Sequence, residues 1–335
     1  MDTLRIGALG AARITPTALV KPAKTTPGVE VRAVAARDRG RGEKFAAKHG
    51  IPVLHDSYEA LLADPEIDAV YNPTPNGLHG RWTVAALAAG KHVLCEKPFT
   101  ANADEAAEVA AAAERSGLVV MEAFHYRFHP LVDRLLEIID SGELGEIRRI
   151  ATRMCIPLPM RGDIRYQLDL AGGALMDVGC YAIHQLRTLA GAEPEVLSAR
   201  AKCIRPGVDR WAEAEMRFAD GSTGAIECAL WSRKPLSLGA RVEGDLGTLT
   251  VTNLTGPQYF HQIVVKSRDE GSGATRRTRE KVPGETTYWY QLHAFEAAVR
   301  DGAEVLTSPS DSIANMRVID DVYRAAGLEP RQPSS

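Results

Sequence analysis

Leu4-Arg5-Ile6-Gly7-Ala8-Leu9-Gly10-Ala11-Ala12-Arg13-Ile14-Thr15-Pro16 reads as an apolar strand that runs straight into a glycine turn and a helix start. A dinucleotide fold needs that order, because backbone N–H groups at the start of the following helix face the pyrophosphate. Gly10 can make the turn. Ala12 stands where the second glycine of G-x-G-x-x-G would fall and Thr15 where the third would, so the fingerprint is degenerate. On this segment alone a plain strand–helix turn is an equal reading. Thr15 and Pro16 are expected to act as N-cap and first helical residue. Gly10, Ala12, Arg13 and Ile14 are the candidate cofactor contacts of the turn.

Working outward, the same alternation repeats. Strands are expected at Val29–Ala35, Ile67–Tyr71, His92–Cys95 and Leu118–Glu122. Helices are expected at Pro16–Thr25, Gly40–Lys48, Arg81–Ala89 and Ala103–Arg115, with a short one starting at Tyr58–Leu62. Strands separated by helices mean βαβ units and a parallel sheet, with ligands at the carboxyl edge of the strands. After Pro130 the pattern changes. A helix (Leu131–Ile139), a strand (Ile147–Cys155) and a long helix (Gly173–Leu189) precede several strands between Val196 and Val265. Helices follow at Tyr288–Val299 and Ser312–Ala326, and Arg331–Ser335 is expected to fray. The predicted fold class is therefore α/β: a Rossmann dinucleotide-binding domain over 1–124, then an α+β domain over 125–335 with a large, mostly antiparallel, open-faced sheet. Arg268–Lys281 reads as a solvated hairpin tip, its arginines offset by Asp269, Glu270 and Glu280.

Composition narrows the function. The 335 residues are 45% hydrophobic and 25% charged with a net charge of −3, the ordinary globular balance without the basic excess of a nucleic-acid binder. No apolar run approaches the ~20 residues of a membrane span. Five scattered cysteines form no C-x-x-C pair, so neither a metal site nor a disulfide framework is expected. The chain reads as a cytoplasmic protein with reduced thiols.

The end of the second strand, Ala35-Ala36-Arg37-Asp38-Arg39-Gly40-Arg41, bears on cofactor choice. Asp or Glu there holds a ribose 2′-hydroxyl, whereas Arg clamps a 2′-phosphate. Arg37 and Arg41 favour NADP, and Asp38 keeps NAD open. Two more strand ends carry unusual polar residues: Asn72-Pro73-Thr74-Pro75-Asn76-Gly77-Leu78-His79 and Cys95-Glu96-Lys97-Pro98. From these, Thr74, Pro75, Asn76, His79, Glu96 and Lys97 join the candidate cofactor contacts, with His79 read equally as the start of the next helix.

Glu96-Lys97-Pro98 resembles the E-K-P motif of the Gfo/Idh/MocA oxidoreductases. The likeness runs through nearly the whole chain. It takes in Thr74–His79, the segment Glu122-Ala123-Phe124-His125-Tyr126-Arg127-Phe128-His129-Pro130, and Gly172-Gly173-Ala174-Leu175-Met176-Asp177-Val178-Gly179-Cys180-Tyr181. It implies that Lys97 and Asp177 occupy the family's catalytic lysine and aspartate positions. Many members have His four residues after that Asp, and this chain has Tyr181. That departure resembles the branch of glucose–fructose oxidoreductase, xylose dehydrogenase and dimeric dihydrodiol dehydrogenase, which favours sugars or diols over inositols.

Asp177, Tyr181 and Gln185 fall at i, i+4 and i+8, on one helix face, and His184 at i+7 can join them. A phenol is a weak base near neutral pH unless a cation such as Lys97 favours its anion. Tyr181 is the expected proton acceptor or donor for a hydroxyl–carbonyl conversion, and Lys97 the group that stabilises developing negative charge. The candidate substrate contacts are Lys97, Arg165, Asp177, Tyr181 and His184. The substrate is expected to be a sugar or a related polyol or cyclic diol, and no metal is called for. Two alternatives stay open: a reductase of a sugar-nucleotide, ketone or imine, and a non-catalytic NADP-sensing regulator. A homodimer or homotetramer through the second domain's sheet is expected, on the argument that a broad apolar sheet face needs a cover.

Overall fold

The computed structural model describes residues 3–158, 162–232, 236–268 and 271–335. The chain divides into two units: Met1–Arg127 with Tyr288–Ile313 and Pro333–Ser335, and Phe128–Thr287 with Ala314–Gln332. The break near residue 127 lies three residues past the expected one. The first unit also includes two later segments, Tyr288–Ile313 and Pro333–Ser335, which lie within the range expected for the second domain. Glu122 explains one return: its N–H donates to the Thr307 carbonyl (3.0 Å), and its Oε2 accepts from Ser312 Oγ (2.6 Å).

The first unit is built on β1 (Leu4–Leu9), α1 (Lys21–Ala23, preceded by a π-helical turn Pro16–Val20), β2 (Val29–Ala35), α2 (Arg39–His49), β3 (Val53–His55) and α3 (Tyr58–Leu62). It continues through β4 (Ala69–Asn72), α4 (His79–Ala88), β5 (His92–Cys95), α5 (Ala103–Ser116) and β6 (Val120–Glu122). The six strands pair in parallel in the order β3-β2-β1-β4-β5-β6. Ile6, Ala8, Leu9, Val34, Val70, Tyr71, Leu94 and Cys95 are all fully buried. Such near-continuous apolar strands are what a sheet covered on both faces requires. The sequence reading had no strand at β3. It is a three-residue edge strand of intermediate burial, too short to show a period.

The second unit opens with α6 (Pro130–Asp140) and β7 (Ile147–Cys155), then a π-helical turn Leu175–Gly179 that runs into α7 (Cys180–Ala190). β8 (Glu195–Arg205), β9 (Val208–Arg217), β10 (Thr223–Ala229), β11 (Ser237–Gly244), β12 (Gly247–Thr252), β13 (Gln262–Arg268) and β14 (Thr275–Glu280) follow. α8 (Thr287–Asp301) and α9 (Pro309–Ala325) complete the chain's helices among the described residues. The eight strands lie in the order β14-β13-β12-β11-β7-β10-β9-β8, antiparallel except for β7 with β10. β14 occupies much of the stretch expected to be a hairpin tip; Asp269 and Glu270 lie outside the described residues.

One face of this sheet packs on α7. Ile150, Thr152 and Met154 are buried, and Thr152 Oγ1 donates to the Ala182 carbonyl (2.7 Å). The other face is not apolar. Arg149 pairs with Glu215 (2.8 Å), Arg153 with Glu227 (3.5 Å), Arg200 with Glu213 and Arg241 with Glu243. A face of paired charges is compatible with water, so the apolar-cover argument for a sheet-to-sheet oligomer loses its premise.

Candidate active site

The strand order of the first sheet reverses between β1 and β4, and such a switch point is where α/β sheets bind ligands. Ala8 pairs with Tyr71 and Asn72 with Cys95. Loops after β1, β4 and β5 therefore leave adjacent strand ends, which brings Gly10–Ile14, Thr74–Asn76 and Glu96–Lys97 to one edge. Arg37 follows β2 on the same edge.

The turn after β1 is shaped for a ligand's close approach. Gly10 sits at φ 115°, where any side chain is strained, and a Cβ there would lie 3.2 Å from Tyr58 Oη. Arg41 Nη2 donates to the Ala11 carbonyl (2.8 Å), tying the turn to α2. Arg13, Arg37 and Arg41 are exposed, and Arg37 hydrogen-bonds the Tyr58 hydroxyl. Thr15 does not cap the helix as expected. It is itself helical (φ −49°, ψ −42°), and its buried Oγ1 has no hydrogen-bond partner among the described residues. Helical geometry turns the hydroxyl away from the N–H groups it would cap. A positive-φ glycine directly after β1 and an unsatisfied buried hydroxyl at the start of the following helical turn fit the phosphate end of a dinucleotide.

Around Lys97 the groups are buried, and two of them are histidines that stay uncharged near neutral pH. The Lys97–Pro98 bond is cis and Lys97 is half-buried. His79 is 1% exposed, with Nδ1 2.7 Å from the Pro98 carbonyl and Nε2 2.7 Å from the Thr74 carbonyl. Two carbonyls would both accept from an imidazolium. Loss of hydration outweighs them, and with the Lys97 charge it pushes His79 down to about 4. The neutral ring has one N–H to donate to one of these carbonyls and lies against the other, which ties the loop after β4 to the Lys97–Pro98 turn; His79 is also the first residue of α4. His125 is pushed down to about 3, by burial first and then by Lys97, and its ring stacks on Tyr288 at 4.1 Å between centroids. Glu96 is buried and accepts from the Tyr71 hydroxyl (2.7 Å). The sequence does not mark His125 as a Lys97 neighbour or Tyr288 as its ring partner. Only the return of α8 to this unit brings Tyr288 there, and no sequence spacing carries that signal.

In the second unit, Asp177 is buried in the π-helical turn and Tyr181, 4% exposed, follows one turn later on α7. Arg165 Nε lies 3.1 Å from Asp177 Oδ2 and its Nη1 lies 3.0 Å from Asp163 Oδ1. The two carboxylates, Asp177 foremost, raise the Arg165 guanidinium above its usual value. Arg165 and Asp177 are thus one unit. Asp163, buried beneath the pair, also accepts from the Arg165 backbone N–H (3.0 Å). His184 and Gln185 are both buried; Gln185 Nε2 donates to Thr255 Oγ1 (2.9 Å). Among the described residues no group of three His, Cys, Asp or Glu is placed to hold a metal ion, and no helix is long and apolar enough to cross a membrane.

Comparison with known proteins agrees with this layout. Residues 4–124 match the model of the GFO/IDH/MocA oxidoreductase family with its NAD-binding Rossmann fold, and residues 132–250 match the GFO/IDH/MocA C-terminal domain. A D-xylose 1-dehydrogenase (NADP(+)) from Haloferax volcanii is 36% identical over 324 residues, 96% of this chain and 97% of the relative. A trans-1,2-dihydrobenzene-1,2-diol dehydrogenase from Mus musculus is 36% identical over 232 residues, 68% of each chain. Among solved structures, a 3-ketoreductase from Actinomadura kijaniata, in complex with NADP and TDP-benzene, superposes with a TM-score of 0.88 at 30% identity, covering 97% of this chain and 98% of that one. The parallel sheet with its glycine turn, the Glu96-Lys97-Pro98 loop and the Asp177–Tyr181 helix therefore belong to a member of the GFO/IDH/MocA family, an oxidoreductase that works with a nicotinamide dinucleotide.

Proposed function

We propose that the protein is an NADP-dependent oxidoreductase that interconverts a hydroxyl and a carbonyl on a sugar or related cyclic diol. The observation that carries this reading is the shared strand edge, where Gly10–Ile14, Thr74–Asn76 and Glu96–Lys97 come together at the switch point. Gly10, Ala12, Arg13 and Ile14 would hold the pyrophosphate, and Arg37 and Arg41 the 2′-phosphate. Thr74, Pro75, Asn76 and Glu96 would flank the nicotinamide end, with His79 positioning that loop. When bound, the cofactor accepts or supplies hydride.

Tyr181 takes the hydroxyl proton during oxidation and returns it during reduction. Lys97 supplies positive charge, so alkoxide character is stabilised as it develops. Its neighbours His79 and His125 carry no positive charge to compete with it. Asp177, held by Arg165, offers its carboxylate to substrate hydroxyls, and His184 backs the helix face. Sugar and diol substrates are supported by the xylose and dihydrodiol dehydrogenases among the relatives. The structural match to a 3-ketoreductase supports a second reading, reduction of a keto group on a nucleotide-linked sugar.

The test is nicotinamide absorbance with NADP and with NAD, across D-xylose and other aldoses, a trans-diol, and simple ketones with reduced cofactor. Lys97→Met and Tyr181→Phe are run beside the parent. Turnover with NADP that falls about 100-fold or more in both variants is expected. Turnover that survives Tyr181→Phe removes the phenol from the reaction. Cofactor binding without turnover on any substrate class favours a regulator that senses NADP.

A further inference from the structure

After α9 the chain does not fray. Arg331 is 2% exposed and lies among fully buried groups of the second unit. Its Nη2 is 2.7 Å from Asp209 Oδ1, its Nε donates to the Gly172 carbonyl (2.7 Å), and its guanidinium stacks 4.2 Å from the Tyr323 ring centroid. Asp209, 0% exposed, also accepts from the Tyr323 hydroxyl (3.0 Å) and, through Oδ2, from the Leu175 N–H (2.7 Å). Leu175 is the first residue of the helical run that carries Asp177 and Tyr181.

The glycines before that helix are wedged between two supports. A Cβ on Gly172 would meet the Gln167 and Arg165 carbonyls at 2.6 and 2.7 Å. One on Gly173, which sits at φ 144°, would collide with Asp209 and come within 2.8 Å of Arg331 and Tyr323. The Gly173 N–H donates to the Arg165 carbonyl (2.8 Å), and the Asp177 N–H to the Gly173 carbonyl (3.0 Å). The backbone that aims Asp177 is therefore gripped from one side by the Arg165 loop and from the other by Asp209 and Arg331. A carboxylate on the first N–H groups also suits the positive end of a helix.

We propose that Asp209 and Arg331 are positioning residues for the reaction. They fix the start of the helix that presents Asp177 and Tyr181, and so make the segment after α9 part of the active-site scaffold. This rests on the reading of Tyr181 and Asp177 above. Neither Asp209 nor Arg331 is placed in contact with substrate; both act through the helix.

The experiment compares Arg331→Met, Arg331→Lys, Asp209→Asn and the double variant Asp209→Asn with Arg331→Met. Four readouts are taken: turnover, NADP affinity, melting temperature, and backbone hydrogen exchange in peptides covering 172–185 and 4–124. Arg331→Met leaves a buried carboxylate without its cation and is expected to melt early. The double variant removes both charges and is expected to recover most of that melting temperature. Its turnover is expected to stay down by about 10-fold or more, because a helix displaced by a fraction of an ångström misplaces reacting groups. Arg331→Lys keeps the charge but cannot reach Asp209 and Gly172 with one planar fork, so turnover falls with little loss of melting temperature. Exchange should quicken in 172–185 and stay at the parent's level in 4–124, with NADP affinity held within about 2-fold of the parent.

Parent-like turnover in the stable double variant overturns the proposal, as does unchanged exchange in 172–185. Loss of NADP affinity in step with turnover also overturns it, since that marks general disruption. Tyr181→Phe keeps the two readings apart. If it retains full turnover, the functional assignment of Tyr181 fails, while the exchange data still decide whether Arg331 orders the helix.

Discussion

The polar groups around Lys97 and those around Asp177 are both buried, by opposite means. His79 and His125 lose their charge to burial and to the nearby ammonium. Asp177 keeps company with a guanidinium that also holds Asp163. The first environment is therefore sensitive to acid, and the second to removal of one partner. The same contrast separates the two sheets. The parallel sheet is apolar on both faces, whereas the antiparallel sheet is apolar on the face toward α7 and covered with charge pairs on the other. Burial on two faces ties stability to nearly every residue of a strand; burial on one face leaves alternate positions free to vary.

The largest expected effect tests the sheets. Ile6→Ala removes a fully buried side chain from the central strand β1 and should cost about 3–4 kcal/mol in urea denaturation. A cost below about 1 kcal/mol would mean that the parallel sheet is no more demanding than the other one.

Acid titration comes next. His125 titrates near 6.5 when unfolded and near 3 when folded, so below 6.5 the unfolded chain binds the extra proton. Stability is then full above the unfolded value and falls as the pH drops toward the folded one. One such group removes about 2 kcal/mol between pH 7 and pH 5. Denaturation of the parent and of His125→Gln at both values checks this; equal losses in the two proteins would clear His125 of the role.

A smaller effect separates two arginines on the nucleotide edge. Arg37→Ala is expected to weaken NADP by about 10-fold and leave NAD unchanged. Arg41→Ala also frees the Ala11 carbonyl of the glycine turn and should weaken both cofactors. Fluorescence titration with each dinucleotide distinguishes them, and identical profiles would undo the assignment of Arg37 to the phosphate. The smallest expectation is Arg153→Ala, which removes the exposed partner of Glu227 on the open sheet face. Its cost should stay below about 1 kcal/mol by the same urea measurement.

Much of this was legible along the chain because the evidence was local. β1, β2, β5 and β7 fall on the residues expected from apolar runs bounded by glycine and charge. The helix carrying Asp177 and Tyr181 was marked by its own spacing. What escaped was set by local backbone conformation or by partners elsewhere in the chain. Thr15 looked like a cap, yet its backbone is helical. His79 starts α4 with its ring between two carbonyls 5 and 19 residues away, a setting that its place in the sequence does not reveal. The open sheet face was expected to need a cover, yet cross-strand pairing of Arg with Glu makes it polar.

By itself the sequence determined the order of strands and helices, the glycine turn after β1, and the residue types at the strand ends. These follow from periodicity and from backbone conformations few residues can adopt. Tertiary structure alone decided that α8 returns to the nucleotide-binding unit and sets Tyr288 on His125. It also decided that Arg331, 122 residues from Asp209 in the chain, closes a buried ion pair at the start of the Asp177 helix. Loss of hydration makes such pairing obligatory once a charge is buried, but which partner meets it depends on the path of the whole chain.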